Sequence, residues 1–151
     1  EDWHGLLAAN LHGYFYGCRA AASAMYPQRR GRIINISSAA DIQKVANLSD
    51  YVTAKGGIVG LTRTLALEAA DYNVTVNAVA PGLVRTRLTA ELTGNEGQER
   101  ASASMHALGR IGEPDDVAAA LAWLLVPAQG WVTGQVLGVD GGLARVRSRR
   151  A

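Results

Sequence analysis

Apolar residues recur at spacings of three and four over residues 2 to 26, where Trp3, Leu7, Leu11, Tyr14, Phe15, Cys18, Ala22 and Met25 form one stripe. That period predicts an amphipathic helix ending in the turn-rich Pro27-Gln28-Arg29-Arg30-Gly31. Arg32 to Ile36 follows, rich in β-branched residues, and reads as a short strand running into Ser37-Ser38 and a polar loop. Over residues 50 to 71 the helical period returns with Tyr51, Ile58, Leu61, Leu65 and Ala69. Gly56, Gly57 and Gly60 lie inside that helix, each costing up to about 1 kcal/mol relative to Ala, which predicts the close approach of another backbone. A second strand spans Val74 to Ala80 and stops at Pro81-Gly82.

Residues 83 to 109 are polar and weakly patterned, with Gly94 and Gly97, and read as an irregular, mobile segment. Pro114, Asp115 and Asp116 open a third helix, because Pro suits the first turn and acids suit the positive end of the helix dipole. Its apolar run Val117 to Val126 ends at Pro127. A last strand, Gln135 to Val139, is closed by Asp140-Gly141-Gly142, a turn or subunit contact. Helix and strand alternate throughout, the pattern of an α/β fold with a parallel sheet and helices on both faces. Ligands of such sheets bind beyond the carboxyl ends of the strands, here Ser37-Ser38 and Pro81-Gly82.

Composition narrows the classes. A chain of 151 residues with 48% hydrophobic and 19% charged residues is one ordered domain. Its longest apolar run is too short for a bilayer, so no membrane partner is expected. The single Cys18 excludes an intramolecular disulfide and any multi-cysteine metal site, and fits a reducing, cytoplasmic compartment. The formal charge of +2 comes from Arg145, Arg147, Arg149 and Arg150; without them 11 basic residues face 13 acidic ones. Residues 144–151 therefore read as a solvated basic tail and not as a nucleic-acid contact. His4, His12 and His106 lack metal-ligand spacing and are expected at the surface, with no metal bound. Trp123 and Trp131 are expected to pack. The chain opens Glu1-Asp2-Trp3, without an initiating Met or a signal-peptide pattern.

Tyr51 and Lys55 stand four apart on a helix, so phenol and ammonium project from one face. A tyrosine near its ordinary pKa of about 10 is a poor base at neutral pH. Bringing it into working range takes roughly 4 kcal/mol, which needs Lys55 together with a second positive charge such as an oxidised nicotinamide. Ser38 lies thirteen residues before Tyr51, at the end of a strand, and Asn10 shares the helical stripe of Leu7 and Tyr14.

The run Asn10-Leu11-His12-Gly13, Ile36-Ser37-Ser38, Tyr51-Val-Thr-Ala-Lys55 and Asn77-Ala-Val-Ala-Pro81-Gly82-Leu-Val-Arg-Thr86 resembles the short-chain dehydrogenase/reductase family. Leu108-Gly-Arg-Ile-Gly-Glu-Pro114, Val132-Thr-Gly-Gln135 and Val139-Asp-Gly-Gly142 match it too, so the resemblance covers residues 1–143. It implies a Rossmann-like sheet, here incomplete with about three strands and three main helices. It also implies NAD or NADP as cofactor, a small-molecule carbonyl/alcohol substrate and a homo-oligomer, dimer or tetramer. By that resemblance Tyr51 is the general acid/base, Lys55 lowers its pKa and holds the nicotinamide ribose, Ser38 binds the substrate oxygen, and Asn10 holds a relay water. Pro81, Gly82, Val84 and Thr86 match the segment that cradles the nicotinamide end, with Thr86 on the carboxamide. Spacing to Tyr51 selects Ser38 over Ser37.

Members of this branch run to about 250 residues and begin with a strand and a glycine-rich turn that seats the pyrophosphate. Gly56-Gly57-x-x-Gly60 follows Lys55 inside a helix and does not qualify. The loop Ala39-Ala-Asp41-Ile-Gln-Lys44 also departs from the family, which often has a glycine near Asp41. The chain thus reads as a carboxyl-terminal portion whose strand Arg32 to Ile36 has an open edge, and it is expected to be nearly inactive alone. The alternative reading is an inactive fragment keeping only the oligomerisation surface of the first helix and the glycine-bearing helix.

Overall fold

A computed structural model describes residues 3–41 and 47–146. Ile33 and Ile34 lie in β1 (Gly31–Ile36), and an unbroken buried run builds β2 (Val74–Pro81). With β3 (Val136–Val139) they form one parallel sheet in the order β1-β2-β3. Gly31 pairs with Val74, Ile36 with Val79 and Pro81 with Val139, so the carboxyl ends of all three strands lie along one margin.

The first helical stretch begins with α1 (Trp3–Leu7) and ends with α2 (Gly13–Met25). The expected continuous helix is broken between them by a π-helical turn, Ala8–His12, which contains Asn10. Such turns insert one residue into the ladder and recur at functional sites. The long α3 (Ser49–Ala70) packs mainly on β2. Its Leu65, Ala66 and Ala69 join Cys18, Ile33, Val74 and Val76 in a core between helices and sheet. A buried polar link crosses this core: Asn35 donates to the Thr62 hydroxyl at 2.9 Å and accepts from Cys18 Sγ at 3.3 Å. Outside that cluster, α6 (Pro114–Leu125) packs on all three strands and covers the other face. The fold is α/β and Rossmann-like.

Residues 83 to 109 depart from the irregular segment expected. They carry α4 (Ala90–Thr93) and α5 (Glu96–Met105). Asn95 caps α5 by accepting Gln98 N–H at 2.9 Å, and Glu96 and Glu99 occupy its first turn. These local signals prevail over a weak apolar period.

Two expectations about the small elements change. Gly57 allows the close approach of a side chain, Leu11, whose Cδ1 would lie 3.0 Å from an added Cβ; at Gly56 and Gly60 the space is open. Trp131 is 98% exposed and Trp123 45% exposed, so neither is a core residue. Asp140-Gly141-Gly142 does form a turn, its carboxylate accepting the N–H groups of Gly142 and Ala144 at 2.9 Å each. Arg147, Arg149 and Arg150 of the basic tail lie outside the described residues, as does most of the loop after Asp41.

Candidate active site

Ser37 and Ser38 follow β1 directly and have different surroundings. Ser37 is buried, with its N–H bonded to Val79 O at 2.8 Å and its hydroxyl donating to Lys55 O at 3.1 Å. That hydroxyl is spent on tying α3 to the sheet. Ser38 is half-buried, and its Oγ accepts Ala40 N–H at 3.2 Å, leaving the hydroxyl proton for another acceptor.

Lys55 is 6% exposed, and its ammonium donates to Ile36 O at 3.2 Å. Burial pushes its pKa below the ordinary lysine value. The ammonium also lies 5.6 Å from the centre of the Tyr51 ring, the geometry that a Tyr-x-x-x-Lys spacing on α3 produces. Tyr51 is half-buried at the start of that helix.

The sequence pattern did not single out Tyr14, whose ring centre lies 5.2 Å from the same ammonium. Burial first, and then Tyr51, push the Tyr14 phenol above its ordinary pKa. One signal was present: Tyr14 stands one turn after Asn10 on the stripe that faces α3. Asn10 itself sits in the π-helical turn, half-buried, donating to Leu6 O at 3.3 Å.

Pro81, Gly82, Val84 and Thr86 run along the sheet margin from the end of β2. Gly82 donates to Val139 O at 3.0 Å, and an added Cβ there would meet Asp140 Cα at 2.9 Å, so only glycine lets the two strand ends come this close. Val84 is held to Gly112 as a parallel bridge. Thr86 is exposed and shares hydrogen bonds with Thr89, including a hydroxyl pair at 3.1 Å. Its side chain is thus engaged locally. No contact of Thr86 with Tyr51 or Lys55 is among those described.

His106, expected at the surface, is 1% exposed. It closes the floor of this loop, bonded to Leu83 N–H and Ser102 O. His4 and His12 are exposed. A cavity of about 960 Å³ opens between α5 and the start of α6, but its walls carry ion pairs and none of the expected catalytic residues. There Arg85 meets Glu99 at 2.7 Å and Glu113 at 3.1 Å, and Arg110 meets Asp116 at 2.7 Å. Among the described residues no cluster of three or more His, Cys, Asp or Glu could hold a metal ion, and no helix is long and apolar enough to cross a membrane.

Comparisons with known proteins add a separate line of support. The family model described as enoyl-(acyl carrier protein) reductase matches residues 1–144. The 3beta-hydroxysteroid dehydrogenase 1 of Eggerthella lenta is 41% identical over 144 residues, 95% of this chain and 55% of that protein. The 3-oxoacyl-(acyl-carrier-protein) reductase of Thermotoga maritima is 39% identical over 143 residues, 95% of this chain and 57% of the relative. An Agrobacterium tumefaciens structure, provisionally described as a 2-deoxy-d-gluconate 3-dehydrogenase with bound NADP, superposes with a TM-score of 0.88 at 34% identity, covering 94% of this chain and 58% of its own. The chain spans little more than half the length of the curated relatives it matches.

Proposed function

Because the chain belongs to the short-chain dehydrogenase/reductase family, corresponding to its carboxyl-terminal portion, we propose that it serves an NAD(P)-dependent oxidoreductase that interconverts a carbonyl and an alcohol. The observation that carries this reading is the Lys55 ammonium, buried at the sheet margin 5.6 Å from the Tyr51 ring.

The residues present suit one end of a nicotinamide dinucleotide. Lys55 offers a cation, exposed Thr86 a hydroxyl shared with Thr89, and Pro81 to Val84 a stretch of main chain at the carboxyl end of a parallel strand. Among the described residues no glycine-rich strand-to-helix turn offers a seat for the pyrophosphate. When bound, the nicotinamide supplies or accepts the hydride and with it both electrons of the reaction.

Everything else falls to the chain. Tyr51 gives its phenolic proton to the substrate oxygen during reduction and takes one back during oxidation. Lys55 keeps a positive charge beside the ring through these steps. Ser38 donates its hydroxyl to the substrate oxygen, polarising the carbonyl and fixing its distance from Tyr51. Asn10, in the π-helical turn packed on α3, holds a water that returns the proton from solvent. Pro81, Gly82, Val84 and Thr86 hold the nicotinamide end, with Thr86 on the carboxamide. The cofactor is NAD or NADP, and the substrate a small-molecule carbonyl/alcohol pair.

Tyr51→Phe tests the assignment in a protein that carries the cofactor half as well. Turnover of a carbonyl substrate should fall at least about 100-fold, while NAD(P)H fluorescence titration shows cofactor affinity little changed. An unchanged rate would remove Tyr51 from the mechanism.

One observation favours a second reading, an oligomerisation module without activity of its own. Phe15 and Tyr16 on α2 are 50% and 56% exposed, and Gly56 and Gly60 on α3 face open space. Such a surface suits a second copy of the chain. Sedimentation equilibrium separates the possibilities: a monomer at all concentrations would dispose of the module.

A further inference from the structure

His106 is the one buried histidine of the described residues, and its ring nitrogens meet partners of opposite kind. Nδ1 lies 2.9 Å from Ser102 O, an atom that can only accept. Nε2 lies 3.3 Å from the Leu83 N–H, a group that can only donate. A single species satisfies both: the neutral imidazole with its hydrogen on Nδ1. The imidazolium would set a second N–H against that of Leu83, so protonation of the ring and the Leu83 hydrogen bond exclude one another.

The ring joins separate parts of the fold. Ser102 belongs to the end of α5, and Leu83 to the loop after β2. The turn after β3 also touches it: a Cβ on Gly141 would lie 3.5 Å from the ring, and one on Gly82 would lie 3.1 Å from Nε2. The surrounding charges are already committed. Asp140 caps its own turn through Gly142 and Ala144 N–H, and Arg110 and Asp116, on the wall of the cavity of about 470 Å³ beside His106, pair with each other. From α5 the contact is the Ser102 main-chain oxygen, and from the loop it is the Leu83 N–H.

We propose that His106 is a positioning residue for the nicotinamide cradle: in its neutral Nδ1–H form it clamps the main chain at Leu83, beside Gly82, to α5 and the Asp140 turn, and charging the ring releases that clamp. The inference rests on reading Pro81 to Thr86 as the cradle, and it assigns the control of that loop to a side chain outside the proton relay. It also explains why a residue without metal-ligand spacing is buried at this junction.

The test uses the full chain, labelled with ¹⁵N. Long-range proton–nitrogen spectra report the His106 tautomer directly, with exposed His4 and His12 as references in the same sample. The amide of Leu83 is then followed as the pH is lowered until the ring takes up its second proton, in the native chain and in His106→Gln. The glutamine side-chain oxygen accepts the Leu83 N–H but does not charge. The expected result is an Nδ1–H tautomer and a Leu83 amide that moves together with the ring in the native chain and stays still in the variant. NADPH titration in parallel should show affinity about fivefold lower once the ring is charged, and no such loss in His106→Gln. An Nε2–H tautomer, or a Leu83 amide indifferent to ring protonation, would overturn the proposal even if the variant did not fold. Coupling of ring and amide without NADPH binding at any pH would overturn the positioning role in this chain and leave the clamp standing. NADPH binding that ignores ring charge would refute the positioning role alone.

Discussion

Lys55 shows how one side chain can be shared. Its ammonium faces two phenol rings, Tyr14 at 5.2 Å and Tyr51 at 5.6 Å, and donates to a single carbonyl. If Tyr14 holds Lys55 through its ring face, Tyr14→Phe should unfold in urea close to the native chain. Tyr14→Leu should then lose about 1 kcal/mol more, and equal losses in both variants would show the ring face to be idle. A second residue-scale prediction concerns acid. The Arg110 guanidinium, then the Glu113 N–H, hold Asp116 well below its ordinary carboxylate value of 3.8. A carboxylate depressed in the folded state stabilises the fold above its unfolded pKa, and that stability is lost as pH falls through the folded one. Asp116→Asn should therefore lower the unfolding temperature at pH 7, with the gap closing below about pH 4; a gap that persists into acid would deny the ion pair this role. The exposure of both partners keeps the effect small.

At the scale of elements, the helical period revealed α2, α3 and α6, but not the π-helical turn at Ala8–His12. A single wide turn leaves the spacings of three and four on either side unchanged, so the period of the sequence does not locate it. Three glycines on α3 looked equivalent in sequence, and packing separates them. Gly60→Ala meets open space and should stabilise the chain by up to about 1 kcal/mol. Gly57→Ala must displace Leu11, whose Cδ1 and Cδ2 would lie 3.0 and 3.1 Å away, and should gain less or lose. Thermal unfolding of the two variants gives the order; Gly57→Ala ranking above Gly60→Ala would contradict the packing described. The segment with α4 and α5 was hidden for a different reason: its stability lies in caps and ion pairs, such as Asn95 with Gln98 N–H and Arg85 with Glu99, and not in an apolar face.

For the whole molecule, the sheet order leaves β1 paired on one side only among the described residues. A strand with a free edge is a site for a further strand or a second chain. Together with the lack of a pyrophosphate seat among the described residues, this predicts that the purified 151-residue chain turns over more slowly than about 1 per second. Turnover at that rate or above, measured by NADPH absorbance with a carbonyl substrate, would show that the residues present suffice.

Helix and strand alternation, the Tyr51–Lys55 spacing and the strand ends at Ser38 and Pro81 were legible because each depends on residues near in sequence and on one local period. The α/β class follows from them, and with it the expectation of a site at those strand ends. Tertiary structure alone decided which serine keeps its hydroxyl proton uncommitted: Ser37 and Ser38 are chemically identical, and only the packing of α3 on the sheet commits the first hydroxyl to Lys55 O. It decided that Tyr14 shares Lys55, and it buried His106 between α5, the loop after β2 and the turn after β3. These contacts join residues far apart in the chain, and their partners are main-chain atoms or ring faces that no residue spacing specifies.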